Sequence, residues 1–210
     1  TKPEKPSFLN QNDNFLFSIG QFLVKKNFHV LIPFMQKIKE ETKLVISGDN
    51  NTAYGNYMKK SVIGNKLEKR IILSGPVTDA EKLYLYLNCK AFLFPSIAEG
   101  FGLPVLEALR AGKPVFCSDK TSLMEIGNNY VFYWHSFDTN EMLKTFYSGL
   151  EAFSAEKKEA ALKYSLQFTG AQINALVTLP VRLIQGTVPP EQGQITMPRV
   201  SDEPLAIGAN

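Results

Sequence analysis

Residues 98–112 read AEGFGLPVLEALRAG. The apolar run AFLFPS (91–96) leads into them, and a stretch of helical spacing follows the glycines. The segment therefore reads as a strand-to-helix turn. Pro104 is expected at the first helical position, where a missing N–H costs nothing and φ is already set. Gly100 and Gly102 stand where a capping serine or aspartate would serve, and they lack its side-chain oxygen. The first helical amides are then left open, at a place where glycine lets a ligand approach the backbone. Open amides and the positive end of the helix dipole attract anions, phosphate above all. Two acids, Glu99 and Glu107, flank this turn. They would repel a bare phosphate, but they fit if they accept hydrogen bonds from hydroxyl groups on either side of it, as a sugar and a ribose provide. A plainer alternative gives Glu99 to the helix dipole and Glu107 to an i+3 pair with Arg110. The glycines and the preceding apolar strand favour the ligand reading.

The same strand-then-helix alternation runs through most of the chain. Strand-like runs are FLFSIG (15–20), KLVISG (43–48), RIILSGPV (70–77), AFLFPS (91–96), PVFCSD (114–119) and YVFYWH (130–135). Helical stretches between them include NFHVLIPFMQKI (27–38), GNYMKKSVIGNKL (55–67) and DAEKLYLYLNCK (79–90), where Leu83, Tyr84 and Leu87 share one side. SLMEIG (122–127), NEMLKTFYSGLEAF (140–153) and SAEKKEAALKYSLQF (154–168) continue the series. About six near-continuous apolar strands alternating with helices predict an α/β fold, a Rossmann-like parallel sheet with helices on both faces. Ligands bind such sheets beyond the carboxyl ends of the strands. Those ends here are SIGQ, SGDN, SGPV, PSIAEGFG and CSDK, mostly rich in glycine and serine.

All nineteen lysines and all twenty-four aromatic residues lie at or before Phe168, whereas the 42 residues after it hold five of the twelve prolines. The reading is accordingly an N-terminal extension (1–14), a Rossmann-like domain (15–168) and an irregular C-terminal tail (169–210) to which no role is assigned. The net charge of +3 comes from scattered lysines, which argues against a nucleic-acid partner. It leaves open a peripheral contact with anionic lipid in the full-length protein. Cys89 and Cys117 sit in apolar stretches outside any CxxC or Cys/His cluster, so they are expected as packed, reduced thiols. With no signal peptide or spanning segment in the sequence, a cytoplasmic location is expected, with contact at the inner face of the membrane left open.

EGFGLPVLEALRAGKPV resembles the glutamate-x7-glutamate signature of retaining, nucleotide-sugar-dependent glycosyltransferases of the GT-B architecture, family 4 (glycosyl transferases group 1). FLFSIGQFLVKKNFHVLI, LVISGDN, IILSGPV, AFLFPS and TSLMEIG follow that family's order, and the resemblance covers residues 8–168, the donor-binding half of a GT-B fold. It implies that Glu99 contacts the hydroxyls of the transferred sugar. The Gly100, Phe101, Gly102 and Leu103 backbone would face sugar and diphosphate, with the Gly102 and Leu103 amides nearest the phosphates. Glu107 would bind the ribose, and Lys26 would neutralise the diphosphate, which makes Glu99 and Lys26 the catalytic candidates. Gly75, Pro76 and Val77 would lie against the nucleobase. Gly20 and Gln21 belong to the same first loop, but Gln21 replaces the family's usual arginine and so removes a fixed positive charge from the leaving group.

The resemblance further implies a UDP-sugar or GDP-sugar donor, no cofactor and no metal, and the sequence shows no cluster of metal ligands. It also implies that acceptors enter through an N-terminal domain lying outside this sequence, so that the chain alone binds donor and transfers little. A non-catalytic nucleotide-binding or interaction module is the alternative. A dinucleotide-dependent oxidoreductase would need GxGxxG at the first strand-to-helix turn, where SIGQFLVKKN has one glycine, and GxxxxGK[ST] of a P-loop enzyme is absent. His29 and His135 are expected to be packing or surface residues. Asp49 is read as a turn residue, and Asp119 is undecided.

Overall fold

The computed structural model describes residues 2–38 and 41–168. The tail assigned to 169–210 lies outside the described residues.

Six short strands form one parallel sheet: β1 (Phe15–Ile19), β2 (Lys43–Ser47), β3 (Ile71–Gly75), β4 (Phe92–Phe94), β5 (Val115–Ser118) and β6 (Phe132–Trp134). Their order is β3-β2-β1-β4-β5-β6, as expected for a Rossmann-like sheet. The chain reverses its direction of winding between β1 and β4, which opens a crevice where the loops leaving those strands part. Side chains of the central strand point alternately to two faces, and the helices divide between those faces. Leu16 of β1 packs with the face covered by α1 (Leu31–Lys37), α2 (Ala53–Gly64) and α6 (Thr139–Ala152). Phe15 and Phe17 point the other way, into the core beneath α3 (Asp79–Asn88), α4 (Leu103–Arg110), α5 (Leu123–Gly127) and α7 (Ala155–Ser165). Both faces of the central strands are buried, which is why their sequences are apolar throughout rather than alternating.

Four helices begin on a side-chain oxygen, which satisfies backbone donors that the first turn cannot. Thr52 caps α2, Asp138 caps α6 and Ser154 caps α7, while Thr78 and Glu81 form a reciprocal capping box on α3. Pro33 falls in the first turn of α1, where proline is tolerated, and a single 3₁₀ turn (Phe28–Val30) leads into it. The face of α3 differs from the sequence reading. Leu85 and Tyr86 are its buried residues, whereas Leu87 is exposed. An unbroken run from Leu83 to Leu87 is apolar on every side, so spacing alone does not choose the inward face.

The residues ahead of β1 also pack. Leu9 is buried in the core beneath α3 and α4, and the Glu4 N–H donates to the Ala80 carbonyl at 3.0 Å. Cys89 and Cys117 are free and buried, and burial pushes both thiols up, that of Cys89 to about 12. Such thiols are poor nucleophiles.

His29 packs rather than binds. The Tyr54 hydroxyl accepts the His29 backbone N–H at 3.0 Å and lies 3.0 Å from Nδ1, to which it donates when the imidazole is neutral. Burial holds the imidazole below its ordinary value. In the unfolded chain it takes up a proton near pH 6.5, before the folded protein does, so the contribution is complete above that pH and is lost as the pH falls towards the folded value. His29→Gln is expected to lose less stability between pH 7 and pH 5 than the unchanged protein, as read from urea unfolding at each pH. Equal losses would show that this contact does not couple folding to protonation.

Candidate functional site

The turn from β4 to α4 lies at the crevice and is held from both sides. The Ile97 N–H donates to the Lys25 carbonyl at 2.8 Å, and the Ser96 hydroxyl lies 3.1 Å from the same oxygen. From the β5 side, the Ser118 hydroxyl donates to the Ser96 carbonyl. The Thr121 hydroxyl accepts the Glu99 N–H at 3.1 Å, and the Ser122 hydroxyl donates to the Glu99 carbonyl at 3.3 Å. Residues 96–99 are thus fixed between the loops that follow β1 and β5. None of these serine and threonine roles was readable from sequence, because each joins residues more than twenty positions apart.

Unlike the four longest helices, α4 has no side-chain cap. Its N-cap is Gly102, with φ of 95° in the left-handed region, and a Cβ there would lie 2.9 Å from Leu123 Cδ2. Glycine at 102 is therefore required twice, by conformation and by space. Leu103, half open to solvent, occupies the first helical position, so Pro104 is second rather than first as expected. Left-handed Gly102 turns the chain one residue earlier than a proline-led start would. Gly100 is exposed, and Phe101 packs partly into the core.

Lys26 and Glu99 meet at the crevice. The 3₁₀ turn Val24–Lys26 sends the lysine stem back across Gly20, where an added Cβ would lie 3.1 Å from Lys26 Cε. The ammonium sits 5.0 Å from the centre of the Phe94 ring and 2.6 Å from Glu99 Oε1. The two side chains are only 11% and 10% exposed. Burying both charges together roughly balances attraction against lost hydration, whereas removing one would strand the other at a cost of about 3–5 kcal/mol. Gln21 is exposed beside Gly20, and its carbonyl accepts the Leu23 N–H at 2.8 Å.

Glu107 does not pair with Arg110. That arginine reaches the C-terminal end of α7 instead, donating to the Ser165 carbonyl at 3.2 Å and to the Phe168 carbonyl. Glu107 turns to α3. Its Oε2 accepts from the Tyr86 hydroxyl at 2.8 Å, and Lys82 Nζ lies 3.2 Å from its Oε1. A groove of about 360 Å³ runs here between the two helices. Burial, reinforced by the Glu107 charge, pushes the Tyr86 phenol well above its ordinary value, so it is a permanent donor at neutral pH.

The loops after the first three strands continue the sheet's ladder beyond its edge. The Gly20 N–H donates to the Ser47 carbonyl and the Gly48 N–H to the Gly75 carbonyl, each at 2.9 Å. Gly75 is buried, Pro76 exposed and Val77 partly buried against the core. At a strand spacing of about 4.8 Å, β3 lies roughly 14 Å from β4. The predicted residues therefore form two groups: Gly20, Lys26 and Glu99–Leu103 at the crevice, and Gly75–Val77 to one side, with Glu107 on the adjoining helix.

The other two acids of the strand-end loops are taken up by local contacts. Asp49 Oδ1 accepts the Asn51 N–H at 3.0 Å, a turn contact. Asp119 lies 2.6 Å from Lys120 Nζ and 2.9 Å from His135 Nδ1, and its carboxyl is held below the usual range, chiefly by Lys120. Among the described residues there is no group of three His, Cys, Asp or Glu side chains that could hold a metal ion. Among them also, no helix is long and apolar enough to cross a membrane.

The family profile of glycosyl transferases group 1 matches residues 1–145, and the chain belongs to that family. It is 36% identical over 128 residues to the serotype-specific mannosyltransferase WbdA of Escherichia coli, covering 60% of this chain and 16% of that protein. It is 37% identical over 112 residues to the O-antigen chain mannosyltransferase B of Escherichia coli, covering 51% of this chain and 29% of that one. Among solved structures it is similar to HepE of Anabaena in complex with UDP and glucose, with a TM-score of 0.69 and 21% identity, over 79% of this chain and 47% of that chain. A glycosyltransferase from Rickettsia africae gives a TM-score of 0.67 at 17% identity, over 85% and 50% of the two chains. The fold is thus one half of a GT-B glycosyltransferase, and the chain spans less than a third of these curated relatives and about half of these solved structures.

Crowding at Gly102 supplies a direct check on the turn. Gly102→Ala is expected to lower the free energy of unfolding by about 1–3 kcal/mol. Gly100→Ala, whose Cβ would meet nothing within 4 Å, is expected to change it by less than about 0.5 kcal/mol. Guanidinium titration compares the two, and equal effects would contradict the assigned geometry.

Proposed function

We propose that this chain is the donor-binding half of a retaining glycosyltransferase that moves a hexose from a nucleoside diphosphate sugar to an acceptor hydroxyl. One observation carries the reading: the uncapped start of α4 opens at the sheet's switch point between the Lys26–Glu99 pair and Glu107. The open amides of Gly102 and Leu103 suit a diphosphate. Lys26 would neutralise it as it leaves, which lowers the barrier to breaking the sugar–phosphate bond. Glu99 would hold the hydroxyls of the sugar, Glu107 those of the ribose, and the Gly75–Val77 backbone would face the base. The roughly 14 Å from β3 to β4 suits a ligand laid across the strand ends rather than a lone phosphate. Retention rests on the resemblance of the two glutamates to the family signature, and hexose transfer is supported by relatives named as mannosyltransferases. The nucleotide donor is supported by the UDP and glucose in HepE.

Acceptor binding is assigned to sequence outside this chain, so the chain alone is expected to bind donor and show little transfer. Calorimetric titration with UDP and GDP tests the reading. Binding of at least one is expected, and Glu107→Ala should weaken it about tenfold, as for loss of a hydrogen bond to a charged group. No binding of either nucleotide to the folded protein would overturn the proposal. Gln21, in place of a cationic residue, favours a second reading as a non-catalytic nucleotide-binding module. The two separate on sugar transfer by the protein joined to an acceptor-binding domain.

A further inference from the structure

The groove between α3 and α4 contains two donors aimed at a single carboxylate. Glu107 receives Tyr86 on Oε2 at 2.8 Å and faces Lys82 across 3.2 Å from Oε1. We infer that Tyr86 and Lys82 are positioning residues that orient and neutralise Glu107 so that both of its oxygens can accept from a ribose diol. The inference rests on the reading of Glu107 as the ribose contact.

Tyr86 can fix an angle because it cannot move. Its ring is buried and packs edge-on against Phe17 of β1, with centroids 5.0 Å apart, and at a tilt against Phe92 of β4 at 5.3 Å. Only the hydroxyl emerges towards α4, where it also lies 3.4 Å from the Pro104 carbonyl in that helix's first turn. The side chain of Glu107 is 40% exposed, so its outer edge stays open to a ligand. A carboxylate oxygen offers about two lone-pair directions. With one on each oxygen taken from within, one on each remains, and two adjacent hydroxyls match that pair. A free carboxylate rotor could make the same bonds only after losing its freedom on binding.

Lys82 answers a second difficulty. An unpaired acid one helical turn from a bound diphosphate would repel it, and the low dielectric at the crevice would sharpen the repulsion. Lys82 places a positive charge on Glu107, much as Lys26 does on Glu99. The groove carries the donors on α3 and the acceptor on α4, so the distance between these helices sets the diol contact.

Discrimination between ribose and deoxyribose is the readout, because a merely structural role would lower stability without changing that ratio. Affinities of the 210-residue chain for UDP and GDP are compared with those for their 2′-deoxy and 3′-deoxy counterparts. Tyr86→Phe keeps the packed ring, Lys82→Met keeps the stem, and Glu107→Ala removes the acceptor. The unchanged protein is expected to prefer the ribonucleotide by about tenfold, Glu107→Ala to lose that preference, and each positioning variant to reduce it roughly threefold. If Glu107→Ala loses the preference while Tyr86→Phe and Lys82→Met keep it, this inference fails and the ribose role of Glu107 stands. A preference that survives Glu107→Ala overturns both. Thermal unfolding shows which variants fold, and Lys82→Met, at the groove's edge, decides the matter should Tyr86→Phe fail to fold.

Discussion

The crevice depends on an ion pair held almost out of water. Lys26 and Glu99 come from loops 73 residues apart, and among the described residues neither charge has another opposite partner. Their contact closes the mouth between β1 and β4, the point at which the sheet reverses its winding. Around it, Ser96, Ser118, Thr121 and Ser122 spend their hydroxyls on the backbone of the same turn. Those bonds rigidify the strand-to-helix turn and so fix the direction in which the amides of α4 point. The ion pair adds little net stability, because lost hydration offsets most of the attraction. Its consequence is positional: a positive charge and a carboxylate stand ready beside an anion-attracting helix start.

Two acids beside a proposed diphosphate are electrostatically tolerable because each faces a lysine, Lys82 also lying 3.7 Å from Asp79. Glu99 has Lys26, and Glu107 has Lys82. The two pairs differ in depth. The first is nearly buried, so its charges are strongly coupled. The second is about a third exposed on each side and more fully screened. A ligand that displaces Lys26 from Glu99 must supply both a negative charge for the lysine and hydroxyl donors for the acid. A sugar diphosphate carries both. In the proposed function, recognition of the sugar is thereby coupled to recognition of the leaving group.

Much of this was legible in the sequence. Near-continuous apolar strands gave away a parallel sheet, and FLFSIG, KLVISG, RIILSG, AFLFPS, PVFCSD and YVFYWH each fall on a strand. The glycines before Pro104 marked an uncapped helix, because no side chain there could serve as a cap. Long-range pairing was not legible. Lys26 and Glu99 were each readable as a ligand contact, but nothing local says that they touch. Arg110 sits at the right spacing for Glu107, yet the carbonyls ending α7 take it, since tertiary packing decides between partners that spacing leaves equal. Tyr86 was hidden among Leu83–Leu87, where every residue is apolar or aromatic and no periodicity identifies the one that points at α4.

The proposed function requires one arrangement, in which an anion replaces the Glu99 carboxylate as the partner of Lys26. The measurement that tests this most directly is a crystal structure of the chain grown with a UDP-sugar or a GDP-sugar. The account requires the diphosphate on the Gly102 and Leu103 amides, the ribose on Glu107, and Lys26 Nζ turned from Glu99 to a phosphate oxygen. A nucleotide seated elsewhere, with the Lys26–Glu99 contact intact, would contradict it.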